Sequence, residues 1–381
     1  MDLVRIAKAE VFQYTLPLAR PIPLRGDKVT ERTGFLLKLY SAGGHTAWGE
    51  AAPLPGFSRE SMAECRRTLL AAAADLLDKE DALDTDFPRR LKAFSGTSAH
   101  SAAYFAVESA WHLLLDASEN KAPWHRKDPG RDASLHLNAL LAGAPDEIRG
   151  KAVSAAALGY RAVKLKVGRE SMTEDIRLVR EVRSIIGPEI SLRLDANQAW
   201  SLDDAVLFGK AMGDAGIAYI EEPCKVPGDL PAFHRATGIP YAIDESIHLL
   251  HDSLHGRGTR TLGQRAVADV FEGAAALVWK PTLVHTPILG QLLFRDVTHG
   301  HSNRVVISAA FETGVGIAAL ANYAALFAAP ETPAGLDTYA WMVPDVLRQR
   351  LPLSGGTVDL YAINQAAKTV DVERLQRIWP A

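Results

Sequence analysis

The sequence predicts an α/β fold, a modified (β/α)7β TIM-type barrel with an α+β capping domain. Three observations predict it. From about residue 135, short apolar runs alternate with amphipathic helical patterns until about residue 340, the rhythm of a parallel sheet with crossover helices. The first 130 residues instead place strand-like runs before helical ones, which is an α+β order. No GxGxxG turn follows the first barrel run, so an open dinucleotide-binding sheet is disfavoured.

Bulk properties bound the reading. The chain has 381 residues, enough for two regions with sizeable cores. A formal net charge of -3 gives no electrostatic case for nucleic acid or for a membrane surface. Two cysteines, Cys65 and Cys224, are too few for a disulfide framework and suit a reducing cytoplasm. The N-terminal run MDLVRIAKAEVFQY lacks the apolar core of a signal peptide. The longest apolar stretch, VGIAALANYAALFAA at 315–329, is shorter than a membrane span. A cytoplasmic protein acting on a small-molecule carboxylate is expected, and a homo-oligomer is compatible with these properties.

The elements follow in order. VRIAKAEVFQYTLPL, GFLLKLYSAGG and HTAWGEAAPL read as strands, with SAGG (41–44) as a hairpin turn. ESMAECRRTLLAAAADLLDKE and SAAYFAVESAWHLLLDASE carry helical spacing. The polar, proline-containing stretch 119–134 reads as a linker. It divides a capping domain, 1–130 completed by about 340–381, from a barrel, 131–339. The barrel strands are LHLNALL, AVKLKVG, ISLRLDAN, IAYIEEP, PYAIDES, AALVWKP, RVVISAA and AGLDTYA. TEDIRLVREVRSIIG, LDDAVLFGKAMGDAG and ILGQLLFRDVTHG are crossover helices. Segment 247–273 breaks the pattern. His248, His251 and His255 there have i, i+3, i+7 spacing and read as a solvated helix face, with a metal site as the alternative.

In such a barrel, chemistry collects where strands end. The second strand ends with Lys164 and Lys166, the third with Asp195 and Asn197, the fourth with Glu221 and Glu222. The fifth ends with Asp244 and Glu245, the sixth with Lys280, and the seventh carries Ser308 with Glu312 just beyond. Taken singly, each acid could be a helix N-cap or a turn residue, and the lysines an exposed strand face. Taken together, three carboxylates on consecutive strands repel unless a cation sits among them, and oxygen donors favour Mg2+ or Mn2+. Such a rim suits removal of a proton from the carbon beside a carboxylate, because a metal and an ammonium both stabilise the enediolate. A lysine base needs a lowered proton affinity. Lys164 beside Lys166 offers that, each repelling the other's charge. Glu222 and Glu245 point to the opposite strand face and are expected to be structural.

Lys-x-Lys, Asp-x-Asn, Glu-Glu-Pro, Asp-Glu-Ser and Lys-Pro, in that order, resemble the enolase superfamily, muconate-lactonizing subgroup; GEAAPL at 49–54 extends the resemblance into the capping region. The resemblance implies Asp195, Glu221 and Asp244 as ligands of Mg2+ or Mn2+. It implies Lys166 as the base, Lys280 as the stabiliser of the anion from across the site, and Lys164 as a support. It places Ser308, Glu312 and Asn197 at the substrate. The runs LRLDANQAW, IEEPCK, FHRATGIPYAIDES, VWKPTL and AGLDT resemble one dehydratase branch of the subgroup. That implies syn loss of water from a cyclic carboxylate, driven by aromatisation. The loop 21–32 would close over the barrel mouth, with a mobile surface hairpin as the alternative. There are departures: His285 stands where the family often has glycine, and Ala309 and Ala310 where serines are common. They bear on how the substrate's tail is held. Racemisation of N-acylamino acids or epimerisation of dipeptides is the alternative activity. Dipeptide epimerases carry two acids on the eighth strand, at the places of Gly335 and Asp337 here. A barrel that binds without catalysis is the remote alternative.

Overall fold

The structure is a computed structural model, and it describes residues 5–24, 27–77, 101–126, 130–248, 264–284 and 305–380. The helix expected over ILGQLLFRDVTHG, together with His251, His255 and His285, lies outside the described residues.

The first sheet is antiparallel. β1 (Ile6–Leu24) and β2 (Asp27–Ser41) form a long hairpin, β3 (Thr46–Ala51) pairs with β2, and the C-terminal β13 (Gln376–Pro380) adds to the free edge of β1. The turn expected at SAGG is present, closed by Ser41 N–H donating to the His45 carbonyl at 2.9 Å, with Gly44 at φ +85°. Residues 21–24 and 27–32 form the paired end of this hairpin, with Ile22 opposite Val29. Strand alternation sends two faces to two cores. Phe35, Leu37 and Leu39 pack against the helices Met62–Leu77 and Ser101–Ser118. Phe12, Tyr14, Leu36 and Trp48 pack on the barrel side. Gly49, in GEAAPL, allows the helix Ser101–Ser118 to lie flat on β3: a Cβ there would stand 1.9 Å from the Ala106 carbonyl oxygen.

The second sheet is parallel and runs in order from β5 (Asn138–Leu141) through β6 (Ala162–Lys166), β7 (Ser191–Asp195), β8 (Ile217–Glu221), β9 (Tyr241–Ile243) and β10 (Ala274–Trp279) to β11 (Val305–Ile307). The expected eighth strand is reduced to a two-residue bridge. Ala334 and Gly335 hydrogen-bond to His136 and Asn138 on one side and to Ile307 and Ala309 on the other, which closes the barrel. The run LHLNALL is also divided. Its first part, β4 (Ser134–His136), pairs with β12 (Thr357–Asp359) outside the barrel. Crossover helices are capped as their sequences suggest: Ser171 accepts from Glu174 N–H, and Gly187 at φ +72° ends the helix Met172–Ile186. The helix Gly314–Phe327 is buried along almost its whole length. Leu360–Ala367 packs against it, through a reciprocal Asn322–Asn364 amide pair at 2.9 Å. Among the described residues, no helix is long and apolar enough to cross a membrane.

Candidate active site

Strand register assembles the site. In the parallel ladder Lys166 lies beside Asp195, and Asp195 beside Glu221. Side chains two apart on a strand share a face, so Lys164 sits one tier below Lys166 on the inner face, while Val163, Leu165 and Val167 pack in the core. Glu221 pairs with Ala242, and Asp244, two residues on, reaches the same tier. Lys280 follows β10, in a turn closed by Leu283 and Val284 N–H donating to its carbonyl.

Lys164 Nζ lies 2.7 Å from Glu221 Oε1 and 3.0 Å from Asp195 Oδ2, and Lys280 is ion-paired with Asp244. Burial opposes a charge on Lys164, but Asp195, Glu221 and Asp244 outweigh it and hold its pKa well above the ordinary lysine value. Lys280 is raised in the same way, chiefly by Asp244 against burial. Burial would raise Asp195, yet Lys164, Lys166 and Lys280 bring it down to about 2. Burial and the neighbouring carboxylates push Glu221 up. The expectation that Lys164 and Lys166 lower each other's proton affinity is therefore corrected for Lys164. Its nearest partners are carboxylates, and their attraction exceeds the repulsion of a second lysine. Lys166 makes no hydrogen bond or ion pair among the described residues and lines the central cavity.

That cavity encloses about 260 Å³. Lys164, Lys166, Asp195 and Lys280 form its polar floor; Ser308, Ala309, Ala310, Phe311, Thr338 and Trp341 form one wall. Ile22, Leu54 and Phe57 roof it from the antiparallel-sheet region. The hairpin is tied down at its rim: the Arg20 guanidinium lies 4.1 Å from the Trp341 ring centroid and 2.7 Å from Glu147 Oε1. A second cavity of about 360 Å³ opens on the far side of Asp244 and Lys280, with His248 in its lining.

The other expected residues fall in different places. Asn197, at φ +44°, donates from Nδ2 to Glu245 Oε1 at 2.7 Å and lines the cavity. Ser308 lines the cavity and donates to the Gly335 carbonyl at 3.3 Å. Glu312 does not reach the cavity, contrary to expectation. It is fully buried, accepting from Thr282 Oγ1 and Ala310 N–H, both at 2.6 Å, because the turn after β11 directs it into the protein. Glu222 is a brace: Oε1 accepts from the amides of Asp244 and Ser246, and Oε2 from Ser246 Oγ and Gln198 Nε2. Burial, then Glu245, pushes its carboxyl up to about 7. Sequence reasoning missed the wall and roof residues Phe311, Thr338, Trp341 and Phe57, whose convergence depends on tertiary packing. Asp337, which the dipeptide alternative had singled out on the eighth strand, lines the cavity, and its carboxylate accepts from Leu140 N–H at 2.7 Å across the barrel seam.

Among the described residues, no three acidic, histidine or cysteine side chains form a compact ion site. The Lys164 ammonium stands between Asp195 and Glu221, and that of Lys280 is paired with Asp244. Buried oxygen atoms are nonetheless left over. Glu221 Oε2, Glu245 Oε2 and Asn197 Oδ1 lack hydrogen-bond partners among the described residues. Such orphaned acceptors, all oxygen, fit a hard divalent cation.

Comparison with known proteins gives two family matches. Residues 147–255 match the family described as enolase C-terminal domain-like, and residues 6–100 match the MenC N-terminal domain. The o-succinylbenzoate synthase of Yersinia enterocolitica is 33% identical over 344 residues, covering 90% of this chain and 93% of that protein. Among solved structures, the L-Ala-D/L-Glu epimerase from Bacillus subtilis aligns with a TM-score of 0.76 at 21% identity, over 99% of both chains. An enolase superfamily member from Roseovarius nubinhibens, complexed with magnesium, aligns with a TM-score of 0.77 at 21% identity, over 99% of both chains.

Proposed function

The chain belongs to the o-succinylbenzoate synthase family of the enolase superfamily, and on that premise we propose that it converts 2-succinyl-6-hydroxy-2,4-cyclohexadiene-1-carboxylate to 2-succinylbenzoate, in menaquinone biosynthesis. The observation that carries the reading is one cavity with Lys166, Lys280 and Asp195 together in its lining, in a chain one-third identical to a synthase.

Asp195, Glu221 and Asp244 would hold Mg2+ or Mn2+. When bound, the cation neutralises charge on the substrate carboxylate. The remaining work falls to the chain. Lys166, which makes no hydrogen bond or ion pair among the described residues, takes the C1 proton. The ammonium it becomes gives a proton to the departing hydroxyl on the same face, so water leaves and the ring becomes aromatic. Lys280, fixed by Asp244, presents positive charge to the anion that forms. Lys164 holds Asp195 and Glu221 in register. Phe57, Leu54 and Ile22 exclude water from above. A cytoplasmic location belongs to the same proposal, supported by two buried cysteines with no disulfide.

A second reading, racemisation of N-succinylamino acids, is favoured by the same lysine pair, since a base and an acid facing one carbon suffice for it. The test is to supply the cyclohexadiene carboxylate and N-succinylamino acids separately, with Mg2+. Formation of 2-succinylbenzoate is expected. Racemisation without any dehydration would overturn the first reading.

A further inference from the structure

Arg32 lies in β2, outside the cavity, and is 1% exposed. A buried guanidinium is costly unless its donors are satisfied. No ion pair meets it among the described residues. Its fork spans two regions instead. It donates to the carbonyls of Ala52 and Pro53 in the antiparallel-sheet region, and to those of Phe311 (3.0 Å) and Ala310 (3.5 Å) in the turn after β11. That turn is the cavity wall. Phe311 holds φ +64°, a left-handed value uncommon for a bulky residue, and packs edge-on against Trp341 with centroids 5.8 Å apart.

The other end of the turn is gripped from the same sheet. Glu50, in β3, is fully buried and accepts from Thr313 N–H (2.9 Å), Thr313 Oγ1 (2.6 Å) and Gly316 N–H (2.7 Å). A guanidinium therefore holds the carbonyls of the turn and a carboxyl group holds its amides, both from the antiparallel sheet. Ala309 and Ala310 put small apolar side chains on that wall, beside the hydroxyls of Ser308 and Thr338.

We propose that Arg32 and Glu50 are positioning residues that set the cavity wall formed by the turn after β11, against which the substrate's succinyl tail packs. The inference rests on the functional reading above. Lysine cannot replace Arg32 in this role, because one ammonium lacks the planar fork that serves carbonyls in two directions.

The test is ligand binding to the Mg2+-loaded protein, by calorimetry, with 2-succinylbenzoate and with benzoate, which lacks the tail. Arg32→Lys is expected to weaken 2-succinylbenzoate by ~10-fold or more, the scale of one lost side-chain contact, and to leave benzoate and Mg2+ affinity unchanged. In turnover, KM rises more than kcat falls. Glu50→Gln, acting at the other end of the turn, is expected to give the same selective loss and decides the matter if Arg32→Lys does not fold. Equal weakening of both ligands, or of neither, overturns the inference alone. A parent protein that binds neither ligand overturns the functional reading and the inference with it.

Discussion

Glu222 gives the sharpest structural prediction. Its carboxylate is fully buried, and its backbone sits at φ +46° just past the end of β8. It receives Asp244 N–H at 2.9 Å, Ser246 N–H at 2.8 Å, Ser246 Oγ at 2.6 Å and Gln198 Nε2 at 3.2 Å. Glu222→Ala leaves two backbone amides and a hydroxyl unpaired. At about 1–3 kcal/mol for each stranded group, partly relieved by entering water, the loss of stability is about 3–5 kcal/mol. Because one of those amides belongs to Asp244, the carboxylate proposed as a metal ligand also loses its anchor. Loss of such a supporting contact lowers metal affinity about 10–100-fold. Urea unfolding of the metal-free protein reads the first effect and calorimetric titration with Mg2+ the second. Glu222→Gln keeps one acceptor and is expected to fall between parent and alanine variant. A Glu222→Ala protein within about 0.5 kcal/mol of the parent, the scale of an uninvolved surface site, with unchanged Mg2+ binding, would refute the reasoning.

Lys164→Met removes the ammonium between Asp195 and Glu221 and leaves two buried carboxylates facing each other; a cost of about 3–5 kcal/mol is expected in metal-free protein. Added Mg2+ is expected to restore more stability to that variant than to the parent, measured as the shift in urea midpoint; equal shifts would contradict it. Burial raises Glu50 and Glu60 to about 7 from an ordinary 4.5. A carboxyl that binds its proton more tightly when folded stabilises the fold at low pH. That contribution, about 3 kcal/mol for each group, is lost as pH rises from about 4.5 to about 7. Glu50→Gln is expected to flatten the urea midpoint against pH over that window, and an unchanged slope would contradict the assignment.

What the sequence disclosed was whatever depends on local pattern. An apolar run followed by a charged residue marks a buried parallel strand and its exposed end, so Lys166, Asp195, Glu221, Asp244 and Lys280 could each be found one strand at a time. The pairing of Lys164 with two carboxylates could not, because it depends on register across β6, β7 and β8. Glu312 was misread for a related reason: after β11 the chain turns sharply at Phe311, and alternation no longer says which way the next side chain points. The eighth strand was overestimated, since two residues suffice to close the barrel when both neighbours supply hydrogen bonds. Arg32 carried no signal, because its partners are backbone carbonyls far along the chain. Residues 285–304, with His285, are not among those described.

The central claim is that Lys166 moves the proton. Its most direct test is the rate of 2-succinylbenzoate formation by Lys166→Ala at saturating Mg2+, beside circular dichroism and Mg2+ titration to establish that the fold and the metal site persist. The expected result is a loss of about 10²–10⁴-fold or more, the contribution of a positioned general base, with Mg2+ affinity retained. A Lys166→Ala protein that turns over within a few-fold of the parent would contradict the claim.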